Sequence, residues 1–179
     1  MKKNLITIKD FINKSIGEWK SIRSSHTLAF QEFENTNNTL LISYQDIVSK
    51  EVLDIKKRCT LSQNISFALK ISWRSTSEWT NENRSQASQT ILIFVPKDEY
   101  TGTLIKDKGY AELIPSSSIY FMEDSKTFNI RSEYNATISE EKIWFLSNNV
   151  RSRYSVIKNK TNNGILQTSH ATEIKRIIT

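Results

Sequence analysis

The sequence predicts a mainly β fold, an antiparallel meander closed into a barrel and carrying one or two short α-helices. Three observations predict it. β-Branched and aromatic residues recur in short runs separated by Asn, Ser, Gly or Asp clusters, the pattern of consecutive antiparallel strands. Within several runs the side-chain character alternates with the period of a strand rather than that of a helix. Many strands in a small chain also leave exposed sheet edges, which closure into a barrel removes.

In chain order, residues 8–16 (IKDFINKSI) read as a short helix. Residues 45–58 (QDIVSKEVLDIKKR) read as a second, with Ile47, Val48, Val52 and Ile55 on one stripe and bases near its end, where they oppose the helix dipole. Strands are expected at 19–33, 39–43, 65–74, 89–96, 102–106, 110–114, 117–123, 127–134, 138–147, 150–158 and 165–177. No internal repeat or low-complexity divider interrupts them, so residues 1–179 read as one domain with one core. Four Gly and two Pro mark a compact chain rather than a linker. Only 37% of the residues are apolar, so four Trp, eight Phe and six Tyr carry much of the packing.

The N-terminal MKKNLITIKDFINK lacks the apolar stretch of a secretory signal, and no later window approaches a membrane span, so a soluble, cytoplasmic protein is expected. Sequons at Asn64 and Asn135 then reflect an Asn- and Ser-rich composition rather than glycosylation. Cys59 alone permits neither an intramolecular disulfide nor a cysteine-rich zinc site. It follows the basic Lys56-Lys57-Arg58, which would lower its pKa, but without a recognisable base it reads as a packed helix-end residue rather than a nucleophile. His26 and His170 lack metal-ligand spacing, and Gly17, Gly102, Gly109 and Gly164 are too scattered for a phosphate loop, so neither a metal nor a nucleotide cofactor is implied. A net charge of +6 favours an acidic partner, yet it is not gathered into the stripe a nucleic-acid binder would show.

Three of the expected strands share one design. Residues 19–30 carry Trp19, Ser21, Arg23, Ser25, Thr27 and Ala29 on one face, against Ile22, His26, Leu28 and Phe30. Residues 150–157 set Arg151, Arg153 and Ser155 against Val150, Tyr154 and Val156. Residues 165–175 set Gln167, Ser169, Ala171 and Glu173 against Leu166, Thr168, His170 and Ile174. Two architectures are open on this pattern. Either the apolar faces pack a core and the small, charged faces meet water, or the small, charged faces line a barrel lumen where short side chains leave room for a ligand.

Several segments, in order and over nearly the whole chain, resemble the S-type phycobiliprotein lyases of cyanobacteria, their phages and cryptophytes. They are Phe11, Ser15-Ile16-Gly17-Glu18-Trp19 and Ser21-Ile22-Arg23-Ser24-Ser25-His26-Thr27-Leu28; then Ser72-Trp73, Glu78-Trp79, Val95-Pro96 and Asp107-Lys108-Gly109-Tyr110-Ala111-Glu112. The closing third is the most specific, with Glu140-Glu141-Lys142-Ile143-Trp144-Phe145, Arg151-Ser152-Arg153-Tyr154-Ser155 and Glu173-Ile174-Lys175-Arg176. Asn148-Asn149-Val150 stands where that family more usually has Pro-Asn-Leu.

The resemblance implies a lipocalin-like barrel that binds an open-chain tetrapyrrole such as phycoerythrobilin. It also implies thioether formation between the bilin's A-ring ethylidene and a cysteine of an apo-phycobiliprotein subunit, phycoerythrin β being the expected acceptor. The bilin is substrate, and no cofactor of the protein's own is expected. On this reading Arg151, Arg153 and Arg23 offer cations to the two propionates. Glu141 and Glu173 are the candidate catalytic groups, accepting from pyrrole N–H groups or, with a raised pKa, helping to protonate the chromophore. Trp73, Trp79 and Trp144 are candidates to cover the π-system. Neither nucleic acid nor membrane is an expected partner, and a homodimer is compatible with the reading. Two other functions fit the composition: a non-enzymatic carrier of an amphipathic carboxylate, and a nucleic-acid-binding β-barrel.

Overall fold

In a computed structural model, which describes residues 6–60, 65–77, 86–107, 115–124 and 126–177, ten antiparallel strands and two helices follow one another along the chain. Helix α1 (Ile8–Ser15) precedes β1 (Gly17–Thr27) and β2 (Glu32–Gln45); helix α2 (Lys50–Arg58) then leads to β3 (Phe67–Ser77), β4 (Gln86–Pro96) and β5 (Thr101–Lys106). The remaining strands are β6 (Ser116–Glu123), β7 (Thr127–Glu133), β8 (Thr137–Phe145), β9 (Val150–Asn159) and β10 (Ile165–Lys175). Each strand pairs with the next, and β1 pairs with β10, so the sheet closes into a barrel and no edge remains. The expected segment 110–114 lies outside the described residues.

The first hairpin and the second helix differ from the sequence reading. β1 ends at Thr27 and the chain turns over residues 28–31, where Gln31 takes a left-handed φ of 53°. No Gly, Pro or Asn announces this turn. The Asn-rich run after it, poor in strand formers, is nevertheless paired throughout with β1 and β3, so β2 spans 14 residues rather than the expected five. Helix α2 begins only after Ser49, whose hydroxyl accepts from the Val52 amide as N-cap.

The two helices do different work. α1 starts with a capping box of Thr7 and Asp10 and lays Ile8, Phe11 and Ile12 into the barrel's end against Trp19, Phe128 and Ile143. The Phe11 ring stands 5.1 Å from those of both Phe128 and Phe145, and the Ile8 amide donates to Glu99 O in the β4–β5 turn. That end of the barrel is filled with apolar side chains. α2 instead covers the outer wall, packing Val52 and Ile55 on Ala68, Ile91, Ile93, Val95 and Ile105. Neither helix is long and apolar enough to cross a membrane.

Candidate functional site

The strand register decides between the two architectures left open by the sequence. On β1, β9 and β10 the small and charged faces turn inward, while Ile22, Tyr154 and Ile174 are exposed on the outer wall. Rows of paired residues therefore climb the lumen from the α1 end. Trp19 lies lowest, opposite Lys175; above it run Ser21, Glu173 and Arg151, then Arg23, Ala171 and Arg153, then Ser25, Ser169, Ser155 and Glu141.

Accessibility changes along this climb. The Arg151 and Glu173 side chains are 2% exposed, whereas Arg153 and Glu141, though they face inward, are 29% and 22% exposed. Solvent thus enters the barrel to the depth of Arg153 and stops at Arg151. Between the charges the inward positions are Ala171 and serines, side chains of small volume.

Register also sets the ion pairs. Glu173 is directly opposite Arg151, and Arg151 Nε donates to Glu173 Oε2. Arg153 reaches diagonally in both directions. Its Nε lies 3.2 Å from Glu173 Oε1, and its Nη1 donates to Glu141 Oε1 at 2.9 Å. Beneath them the Arg151 guanidinium sits 4.3 Å over the Trp19 ring, and Lys175 Nζ lies 5.4 Å from the same ring. The indole is itself fixed by a hydrogen bond to Ser15 O of α1 at 2.8 Å. Trp19, absent from the tryptophans expected at the site, is fully buried and supports Arg151 from below. Its signal was its place at the head of the Trp19-Ser21-Arg23 face.

The charges do not balance. Two guanidinium groups share Glu173, Arg23 makes no ion pair among the described residues, and Arg151 Nη2 is buried without a hydrogen-bond partner. Burial pushes the Arg151 guanidinium down to about 10, an effect that Glu173 opposes and neighbouring Arg153 adds to. Arg153 is held above its ordinary value: burial works against its charge, but Glu173 and Glu141 outweigh it.

Of the two roles expected of Glu173, acceptor or, with a raised pKa, proton donor, its electrostatics favour the first. Burial pushes its carboxyl up, but the Arg153 and Arg151 guanidinium groups overcome this and hold it below the usual carboxylate range. The carboxyl is therefore held ionised. Its charge stabilises the fold above the ordinary carboxylate pKa, and that contribution is lost as pH falls through the depressed value.

The three expected wall tryptophans separate. Trp73 shares the inward register of Leu40 and Ile71. Trp144 does not face the lumen. Its neighbours Ile143 and Phe145 pack into the core, so the period of the strand places Trp144 on the outer wall beside Ser152 and Thr127. Trp79 lies outside the described residues. His170 Nε2 meets Ser152 Oγ at 2.9 Å, and the Cys59 thiol is pushed up by burial, with Arg58 only partly opposing it. Among the described residues no group of three or more His, Cys, Asp and Glu could hold a metal ion.

Similarity to known proteins gives this barrel a family. A family model described as CpeS-like protein matches residues 7–176. Chromophore lyase CpcS/CpeS 3 of Trichodesmium erythraeum is 35% identical, the match covering 94% of this chain and 98% of that relative. Chromophore lyase CpcS/CpeS 2 of a Synechococcus strain is 30% identical over 96% of this chain and 91% of its own. The solved S-type phycobiliprotein lyase CPES from Guillardia theta shares the barrel at a TM-score of 0.83, with 28% identity and coverage of 97% of this chain and 95% of that one. The chain therefore belongs to the CpeS-like family of phycobiliprotein chromophore lyases.

Proposed function

We propose that residues 1–179 act as one cytoplasmic domain that takes up phycoerythrobilin in the lumen and promotes its attachment to a cysteine of an apo-phycobiliprotein subunit, phycoerythrin β. The observation that carries this reading is the buried, unpartnered Arg151 Nη2, with Arg153 and the half-buried Arg23 above it on the inward face. A bilin offers what is missing there: two propionates, each able to accept a planar guanidinium fork. Arg153 and Arg23 flank the small Ala171 on one row of the inward face, so both can be offered to the same group.

The ionised Glu173 and the more accessible Glu141 face the pyrrole N–H groups as acceptors, and Trp73, in the inward register of its strand, meets the conjugated body. In the bond-forming step the acceptor's thiolate sulfur adds to the ethylidene carbon, and a proton taken up by the ring system balances the addition. The protein supplies no nucleophile; it contributes orientation and exclusion of competing conformers.

The test mixes the protein with phycoerythrobilin and recombinant apo-phycoerythrin β, then digests the product. A covalent bilin-peptide formed faster than without the protein is the expected result. Bilin binding with no covalent peptide above that background would leave a carrier, and absence of binding would remove both readings.

A further inference from the structure

The tip of the first hairpin concentrates apolar surface where a folded chain ordinarily avoids it. Phe30 is 74% exposed, and Leu28, Phe33 and Ile165 are each about half exposed. Between His26 and Glu34 there is no Lys or Arg, in a chain that has 25 of them. This is not a loose loop. The Leu28 amide donates to Leu166 O at 2.9 Å, which clamps the hairpin to the start of β10, and the edge of the His26 ring meets the Phe33 ring at 4.8 Å. A rigid apolar surface has already lost the conformational freedom that association would otherwise cost it.

Its position in the barrel says what the surface is for. α1 and the apolar cluster fill one end, so a ligand seated on Arg151 and Arg153 communicates with the outside through the other. The inward face of β1 leads there directly, from Arg23 through Ser25 to Thr27, a climb of about 13 Å at the rise of a strand. Leu28 is the next residue.

We infer that Leu28, Phe30, Phe33 and Ile165 form a docking lip for the acceptor subunit, apposing its apolar, still unfilled bilin pocket to the exit of the lumen. The inference rests on the bilin-delivery reading above. Occupant and site match in chemistry: the hairpin tip offers apolar side chains flanked by Glu32 and Glu34, and Lys158, opposite Ile165, is held by Glu140, so contact is made by desolvation rather than by ion pairing. A second copy of the chain seated there would stand across the exit, whereas the acceptor must come to the exit for its thiol to reach the bilin.

The test compares wild type with Phe30→Ser and the pair Leu28→Ser with Phe30→Ser. A control, Ile22→Ser, removes an equally exposed residue on the outer wall away from the rim. Circular dichroism checks the fold, absorbance titration gives bilin affinity, and initial transfer rates are read against apo-subunit concentration. The expected result is unchanged bilin affinity, a KM for the apo-subunit raised about tenfold by the pair, as for loss of an interface anchor, and no change for the control. The wild-type-to-variant KM ratio should be the same at low and high salt. An unchanged KM in a wild-type background that transfers bilin overturns the lip and leaves the delivery reading intact. Loss of a wild-type dimer with unchanged transfer assigns the lip to a second copy and also overturns it. Failure of the wild type to bind or transfer bilin removes the reading beneath.

Discussion

Arg151 and Arg153 stand two residues apart on one strand face, share Glu173, and yet should respond to mutation in different ways. Arg151 is enclosed with its carboxylate partner, so Arg151→Ala leaves Glu173 deprived of its directly opposite cation in a buried place. Breaking such a pair from one side costs about 3–5 kcal/mol of stability. Arg153 is partly solvated, and in Arg153→Ala Glu173 keeps Arg151 while Glu141 can be hydrated. That variant should unfold within about 1 kcal/mol of wild type. Its bilin affinity should nevertheless fall by roughly ten- to a hundredfold, the worth of one charge-assisted hydrogen bond. Chemical denaturation beside an absorbance titration separates the two. Equal stability losses in both variants would mean that solvent does not reach Arg153 in solution.

At the scale of elements, the β5–β6 pair tests how tightly the filled end of the barrel is packed. Gly102 lies opposite Tyr120, and a Cβ at Gly102 would stand 2.5 Å from both Tyr120 Oη and Val95 O. Gly102→Ala should cost about 1–3 kcal/mol by overpacking, because the obstructing atoms include backbone. Tyr120 presents the opposite case. Its ring is packed between Phe94 and Phe128, but its hydroxyl is buried without a partner, and burial pushes its pKa up to about 12. Tyr120→Phe keeps the ring and removes the unsatisfied group, so it should leave stability equal or raise it by about 1 kcal/mol in urea unfolding. The same elements show what sequence can reveal. Strands such as β9 were legible because Arg151, Arg153 and Ser155 alternate with a face that carries Val150, Tyr154 and Val156, and the second helix because of its apolar stripe and terminal bases. β2 was not legible in full. Its Asn-rich half is held as a strand by two neighbours, a tertiary effect that propensity does not carry. The site divides likewise. That the two arginines share a face is local, whereas the pairing of Glu173 with Arg151 depends on a register set across the β9–β10 hairpin, with a bulge between Ile165 and Gln167. Trp144 was misread because chemistry alone suggested a ligand wall, while the period of its own strand points it outward.

At the scale of the whole molecule, the positive charge has a distribution that composition conceals. The outer wall of β6–β9 largely neutralises itself, four cations against three carboxylates, through a ladder in which Lys142 meets Glu123 at 2.8 Å, Arg131 meets Glu133 at 3.1 Å and Glu140 at 3.6 Å, Lys158 meets Glu140 at 2.6 Å, and Lys160 meets Glu133 at 3.1 Å. Most of the net +6 therefore resides elsewhere, partly in the lumen and partly on exposed cations such as Lys20, Arg74 and the Lys57-Arg58 end of α2. These two populations should separate under salt. Exposed charges act over a Debye length that shrinks from about 30 Å at 0.01 M to about 3 Å at 1 M, and their steering of an acidic acceptor is a rate effect. The charge pair at the bottom of the lumen is screened far less. Raising sodium chloride from about 0.05 to 0.5 M should therefore lower kcat/KM for the apo-subunit by roughly tenfold, while bilin affinity changes by no more than about threefold. A parallel fall in both, read from transfer kinetics and absorbance titration in the same buffers, would place the effective cations in the lumen alone and leave the outer surface without a part in encounter.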